Sequence, residues 1–331
     1  MINVGDHSKS LKGIRYIDLF AGIGGFRLAL DSFGASCVFT SEWDKYSQEV
    51  YFKNFGDVPN GDITQIKEKE IPKHDMLFAG FPCQSFSISG KQKGFNDSRG
   101  TLFFDIARIA KYHQPKLMIL ENVKNILSID NGNTIKTIKN VLEKDLNYSV
   151  HIELLKGNDF GVPQQRERVF FICFHKSLKF NKFELSQPNL NYLSVRDILE
   201  EGRFPEIEID RKDIYFDKKS VQKDLFSNYP NKPIRIGTIN KGGQGERIYD
   251  IDGTGITLSA FGGGPGKKTG AYLINKKIRR LTPRECARMM GFPDSFKLSS
   301  SSTQAYTQFG NAVIVNVVQF IIKDIIDKKI I

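Results

Sequence analysis

The stretch Phe78-Ala79-Gly80-Phe81-Pro82-Cys83-Gln84-Ser85-Phe86-Ser87 decides how the rest of the chain is read. Small and apolar residues run up to Phe81-Pro82, where proline, with a fixed φ and no N–H, ends the ladder of a buried strand. Cys83 therefore falls just past a strand's carboxyl end, where open α/β sheets bind ligands and do chemistry. A thiol there is a nucleophile if nearby positive charge favours its thiolate. A solitary cysteine is more often a small buried hydrophobe, so its surroundings decide.

Toward the N-terminus, residues 14–20 read as a buried strand, followed by the glycine turn Ala21-Gly22-Ile23-Gly24-Gly25 and a helix from Phe26 that ends at Gly34. Such glycines let backbone N–H groups approach a ligand at a helix N-terminus. The spacing is not G-x-G-x-x-G, so no dinucleotide pyrophosphate is implied. A second strand, 36–41, ends at Glu42-Trp43-Asp44. A carboxylate at that point of a doubly wound fold grips ribose hydroxyls, and Trp43, the only tryptophan, is placed to stack on an adenine. Asp62 is a third candidate contact, to the adenine amino group. Each alone reads as a solvated strand end or a core aromatic; together with the glycine turn they point to a nucleoside.

On the other side of Cys83, residues 87–100 form a long polar segment with three glycines and the cations Lys91, Lys93 and Arg99. Long irregular segments in compact domains are often lids or binding loops. A helix is expected over 101–111, then a buried strand over 116–120 that ends at Glu121-Asn122-Val123. Glu121 thus shares a sheet rim with Cys83. A helix over 133–146, a strand over 149–155 and an apolar strand over 169–174 follow. The alternation of strands and helices predicts a mainly parallel, doubly wound sheet. Beyond residue 175 the composition shifts. Residues 236–275 alternate short strand-like runs with two glycine-rich loops carrying Arg and Lys, a surface suited to reading DNA. Thr282-Pro283 opens a helix, and a last apolar helix covers 313–326.

The chain has 331 residues, net charge +11, 40% hydrophobic and 26% charged residues, a composition that favours a soluble protein with a polyanionic partner. Four scattered cysteines and five scattered histidines suggest neither a disulfide framework nor a zinc site. No leader is visible and the apolar runs read as too short for a membrane span, so a cytoplasmic protein is expected.

A thiolate, a carboxyl group and an arginine beside an adenosine site suit one reaction. C5 of a pyrimidine is a poor nucleophile until a thiolate adds at C6. Cys83 would add, Glu121 would hold N3 and the exocyclic amine, and Arg168 would orient the base and stabilise charge at O2. S-adenosyl-L-methionine would supply both the adenosine and the methyl group. A cytosine within a duplex must first be flipped out.

Six motifs carry a resemblance that runs nearly end to end: Asp18-Leu19-Phe20-Ala21-Gly22-Ile23-Gly24-Gly25, Gly80-Phe81-Pro82-Cys83-Gln84, Glu121-Asn122-Val123, Gln165-Arg166-Glu167-Arg168, Arg284-Glu285-Cys286-Ala287-Arg288 and Gln308-Phe309-Gly310-Asn311. In this order the chain resembles bacterial DNA (cytosine-5) methyltransferases of restriction–modification systems, especially the Hha-type branch that modifies GCGC. The resemblance implies a Rossmann-like S-adenosylmethionine-dependent α/β domain over 1–195 and 305–331, a smaller β-rich target-recognition domain over 196–282, and a hinge over 283–304. It implies catalytic roles for Cys83, Glu121 and Arg168, with Arg166 in support. Cofactor contacts are implied at Phe20, Gly22, Ile23, Gly25, Glu42, Trp43, Asp62, Ile63, Pro82, Leu102, Asn311 and Val313. DNA contacts are implied at Ser87, Ser89, Lys91, Arg99, Gln244, Arg247 and Thr257, with Gln244 and Ser89 filling the gap left by the flipped base and Arg247 reading guanine. The expected partner is double-stranded DNA, with a monomeric enzyme, no metal, no membrane, and a cognate restriction endonuclease. The sequence departs from that branch at Ala312 (serine there), Phe261 (tyrosine) and Asp252 (arginine). A tRNA cytosine-5 methyltransferase is the alternative the same chemistry would serve.

Overall fold

The computed structural model describes residues 5–82, 102–180, 182–217 and 231–331. Cys83 and the loop residues Ser87, Ser89, Lys91 and Arg99 lie outside them. The chain divides into two compact units, one of Asn3–Leu155, Glu167–Gln187 and Val318–Ile331, the other mainly of Lys156–Arg166 and Pro188–Val317. The second is larger than the 196–282 segment expected to form a separate domain, and it takes in Arg166, Asn311 and Val313.

In chain order the elements of the first half are β1 (Arg15–Leu19), α1 (Gly25–Asp31), β2 (Ser36–Ser41), α2 (Lys45–Phe55), β3 (Met76–Gly80), α3 (Leu102–His113), β4 (Leu117–Val123), α4 (Asn133–Asn140), β5 (Tyr148–Lys156), β6 (Gln164–Gln165) and β7 (Glu167–His175). The first unit is built on a six-stranded sheet ordered β2-β1-β3-β4-β7-β5. β2, β1, β3 and β4 pair in parallel, as expected for strands joined through helices. β7 runs antiparallel to β4, so the mainly parallel sheet carries one antiparallel neighbour of β4. Only residues 157–166 separate β5 from β7, and they contain no long helix to make a crossover.

The parallel strands are continuous apolar runs because both faces are covered. Ile17, Leu19, Leu77, Ala79, Met118 and Leu120 pack with Phe103, Ile106 and Ile109 of α3 in one core. The helix read over 133–146 is α4 to Asn140, followed by a single π turn over Val141–Asp145.

The second unit continues with β8 (Ile214–Phe216), β9 (Ile234–Ile239), β10 (Arg247–Asp250), β11 (Gly255–Ile256), β12 (Ala271–Ile274), β13 (Lys277–Arg279), α5 (Pro283–Met289), α6 (Ser302–Asn311) and the start of α7 (Val315–Asp327). Its five-stranded sheet has the order β13-β12-β10-β9-β8, and β11 pairs with β6 separately. Ile236, Ile239, Ile248, Ala271 and Ile278 form its small core. α5 opens as the sequence predicts: Thr282 accepts from Glu285 N, Glu285 returns the bond, and Pro283 fills the first turn.

The run Ser302–Asp327 is, by length and hydropathy, long enough to cross a membrane, contrary to the sequence expectation. Its most apolar 18-residue window is 78% buried, and the run is interrupted between α6 and α7. In the first unit α7 is tied down near its start by Gln319 Nε2 donating to Ser32 Oγ at 2.9 Å.

Candidate active site

β1 ends at Leu19, and Phe20 turns the chain in the left-handed region at φ +57°, an uncommon conformation for a bulky residue. The glycine turn follows. At Gly24, φ is +89° and a Cβ would stand 2.3 Å from the Phe55 ring, so no other residue fits. Ile23 and Gly25 are buried, and Gly25 begins α1.

The turn is fastened to the end of β2. Glu42 Oε2 accepts from Gly22 N at 2.8 Å and Oε1 accepts from Asp44 N at 2.8 Å. Burial pushes the Glu42 carboxyl up, while these N–H groups pull it back. Asp44 caps α2 through Ser47 N at 2.9 Å, and this sharp start leaves Trp43 78% exposed between two pinned neighbours. Asp62 is also exposed and caps a short turn through Thr64 N at 3.0 Å, while Ile63 beside it is buried. Pro82 is exposed at the end of β3, and Leu102 is half-buried at the start of α3.

These residues fit an adenosine-containing ligand. A Cβ at Gly22 would meet open space, so the turn presents bare backbone. The Glu42 carboxylate, with four lone pairs and bonds from the Gly22, Asp44 and Trp43 N–H groups, can still accept from a ribose hydroxyl. Trp43 offers an aromatic face for stacking.

The polar centre of the first unit lies at the ends of β4 and β7. Gly80 is paired with Glu121, and Val123 with Arg168. Arg168 Nε lies 3.0 Å from Glu121 Oε1, both side chains being largely buried. Arg168 also donates from Nη1 to Glu167 O at 2.8 Å. The contact is an ion pair by distance, with Arg168 Nε not aligned for a hydrogen bond, and Glu121 stands beside the strand that leads into Cys83.

The sequence reading assigned no role to Asn122. It is 1% exposed and donates from Nδ2 to Phe81 O at 2.9 Å. Asn122 thus pins the residue two before Cys83 to the strand that carries Glu121. Its place in the Glu121-Asn122-Val123 motif was the only signal in the sequence.

The described cysteines are poor nucleophiles. Burial pushes the Cys37 thiol up to about 12 and raises those of buried Cys173 and Cys286 as well. Among the described residues no group of three His, Cys, Asp or Glu side chains is arranged to hold a metal ion.

In the second unit, Arg166 is 1% exposed. Its Nη1 donates to Leu258 O at 3.1 Å, and Nη2 donates to Gly310 O and Ala312 O, both at 2.9 Å. Arg166 is therefore a positioning residue, with its donors on the carbonyls either side of Asn311 and on the one after Thr257. Asn311 is exposed at the end of α6, and Val313 is buried just beyond it. Thr257 Oγ1 donates to Gln165 O at 2.6 Å.

Gln244 and Arg247 are exposed on the β9–β10 hairpin. Glu246 shapes this hairpin by accepting from Gly243 N at 2.8 Å and Asn240 Nδ2 at 2.9 Å. The hairpin packs backbone to backbone against the second glycine-rich loop: Gly266 N donates to Gly245 O at 2.8 Å, and a Cβ on Gly245 would stand 1.9 Å from Gly263 O. Phe261 projects from that second loop, 89% exposed. Asp252 instead turns inward, 6% exposed and ion-paired with Arg196.

The C-5 cytosine-specific DNA methylase family matches residues 14–327. The type II methyltransferase M.HhaI of Haemophilus parahaemolyticus is 54% identical over 322 residues, covering 97% of this chain and 96% of the relative. M.HpaII of Haemophilus parainfluenzae is 42% identical over 333 residues, covering 95% and 89%. Among solved structures, the S. pombe Dnmt2 methyltransferase superposes with a TM-score of 0.69 at 19% identity, over 96% of this chain and 99% of that one, a likeness of fold. With the match spanning nearly the whole chain, the protein belongs to the C-5 cytosine-specific DNA methylase family and is a DNA (cytosine-5) methyltransferase akin to the type II enzymes.

Proposed function

We propose that this enzyme methylates C5 of the inner cytosine of GCGC in double-stranded DNA, with the target base flipped out of the helix, and so protects the site from a cognate restriction endonuclease. The observation that carries the reading is the Glu121–Arg168 pair beside the strand that leads into Cys83. S-adenosyl-L-methionine, when bound, supplies an electrophilic sulfonium methyl group. Phe20, Gly22, Ile23, Gly25, Glu42, Trp43, Asp62, Ile63, Pro82 and Leu102, all of the first unit, are the residues proposed to hold it.

Cys83 forms a bond from its thiolate sulfur to C6. Glu121 donates to N3 and accepts from the exocyclic amine, so electron density moves to C5, which takes the methyl group. Arg168 keeps Glu121 aimed and offers its remaining donors to O2, where charge develops. The C5 proton then passes to solvent, the C6–S bond breaks, and Cys83 is released as the thiolate.

Specificity is proposed to rest on the stretch Gly242–Tyr249, which resembles the recognition loop of the GCGC-modifying branch. Gln244 and Arg247 are proposed to meet the bases, Thr257 the backbone near the target, and Ser87, Ser89, Lys91 and Arg99 to close on the DNA. The test is to incubate the enzyme with S-adenosylmethionine and unmethylated genomic DNA and to map 5-methylcytosine by conversion sequencing. Modification of the inner cytosine of GCGC alone is expected. Modification at another motif overturns the specificity, and modification of tRNA but no DNA overturns the substrate.

A further inference from the structure

The second unit contains a cavity of about 280 Å³ lined by Gly262, Lys267, Lys268 and Thr269 of the second glycine-rich loop, by Arg280, and by Ser302 and Thr303 at the start of α6. Glu206, Ile207 and Tyr306 complete its wall, so three cations face one carboxylate. Neither Lys267 nor Arg280 has a carboxylate partner among the described residues; Arg280 reaches only the Glu206 carbonyl, at 3.5 Å. The Lys268 ammonium bonds Thr307 Oγ1, and burial lowers its affinity for its proton. At the start of α6 the cap Ser301 accepts from Gln304 N through its hydroxyl and from Ala305 N through its carbonyl, while the helix dipole leaves partial positive charge at this end. Cations gathered around a water-accessible recess beside a helix N-terminus make an anion site.

The position of the recess identifies the anion. Its floor is the loop that interlocks with the Gln244–Arg247 hairpin through Gly245 and Gly266. Lys267 lies one residue from Gly266 in that loop, with a left-handed backbone at φ +44°. A duplex read by the hairpin extends beyond the four base pairs contacted, and its charge there is carried by phosphates.

We propose that this recess of the second unit binds one backbone phosphate of the DNA outside the recognition sequence, with Lys267 and Arg280 as its principal contacts. This rests on the reading that the β9–β10 hairpin engages duplex DNA. The contact adds affinity without reading sequence. It makes tight binding require DNA longer than the recognition sequence.

The test measures binding of wild type and of Lys267→Gln/Arg280→Gln to GCGC duplexes of increasing length, across a salt series. The slope of log affinity against log salt should be shallower in the double variant by about 0.9 for each phosphate charge no longer neutralised. A second arm uses duplexes in which a single phosphate is replaced by a neutral methylphosphonate at successive flanking positions. One position should weaken wild type and leave the double variant unaffected, the signature of a direct pair. Inorganic phosphate provides the control for a free-anion site. Equal slopes and no such position overturn the proposal while sequence-specific binding stands, and competition by millimolar phosphate without any length dependence does the same. Wild type that shows no salt-dependent duplex binding overturns the underlying DNA reading as well.

Discussion

Glu121 and Arg168 meet across the only antiparallel pairing made by β4, with Nε 3.0 Å from Oε1. The pair sits toward the end of β4, where Glu121 is paired with Gly80, three residues before Cys83. Glu121→Gln keeps the shape and removes the charge and the proton. Single-turnover methyl transfer should fall by roughly 10²–10⁴-fold, with the circular dichroism spectrum unchanged. Turnover within a few-fold of wild type would remove Glu121 from the chemistry.

Arg166, two residues earlier, should behave differently. It donates to three backbone carbonyls from a fully buried position. Arg166→Met leaves those carbonyls without their donor and should cost about 3–5 kcal/mol of stability. Arg166→Lys should recover only part of that, because an ammonium lacks the planar fork. Urea unfolding of both variants measures this, and a change below about 1 kcal/mol for Arg166→Met would show that the carbonyls find other donors.

How far the sequence could be read follows from such pairs. The strands were legible because a run such as Leu117–Leu120 is apolar throughout and both faces of it are buried. Its neighbour's direction was not, since an apolar run reads the same either way, and β7 proved antiparallel. Glu42, Trp43 and Glu121 were legible because strand ends are marked by an abrupt change to polar residues. The carbonyl partners of Arg166, expected only as a support, and the tie from Asn122 to Phe81 were not, because both act through backbone carbonyls distant in sequence, which no side-chain pattern encodes. Asp252 shows the converse. The sequence marks it only as a departure from arginine, and the structure places it in an inward pair with Arg196.

Trp43 provides an internal reporter, since the sequence contains one tryptophan. With 78% of its surface exposed it contributes little to folding. Titration with S-adenosylmethionine or S-adenosylhomocysteine should quench its fluorescence as a ring stacks on the indole. Trp43→Ala should weaken cofactor binding by about 10-fold, as expected for loss of 1–1.5 kcal/mol of aromatic stacking, and leave the thermal midpoint unchanged. A flat titration would argue that the indole does not meet the cofactor.

His74 gives the acid limb of stability. It is buried against His113, with ring centroids 4.6 Å apart, and its Nδ1 lies 2.8 Å from Pro72 O. Burial lowers its pKa to about 4, opposed by the Pro72 carbonyl and aided by His113. The folded protein holds the ring neutral while the unfolded chain protonates near pH 6.5, so the unfolded state binds more protons between those values. Its contribution is therefore complete above pH 6.5 and is lost as the pH falls toward 4. Wild type should lose up to about 3 kcal/mol more than His74→Gln between pH 7 and pH 4. Parallel stability curves would exclude this histidine as the cause.

Gly245 has no room for a side chain, since an added Cβ would stand 1.9 Å from the Gly263 carbonyl. Gly245→Ala should cost about 1–3 kcal/mol through forced backbone movement and weaken duplex binding, measured by urea unfolding and by DNA titration. Unchanged DNA affinity would separate the hairpin from recognition.

The same interlock bears on how such an enzyme acquires a new target. The hairpin that carries Gln244 and Arg247 and the loop that carries Phe261 share a backbone hydrogen bond and a glycine-to-glycine contact. Neither can be exchanged for a foreign sequence without reshaping the other. Inheritance or engineering of specificity would therefore have to move both segments as one cassette, and chimaeras that transplant a single loop should fold poorly before they bind anything new.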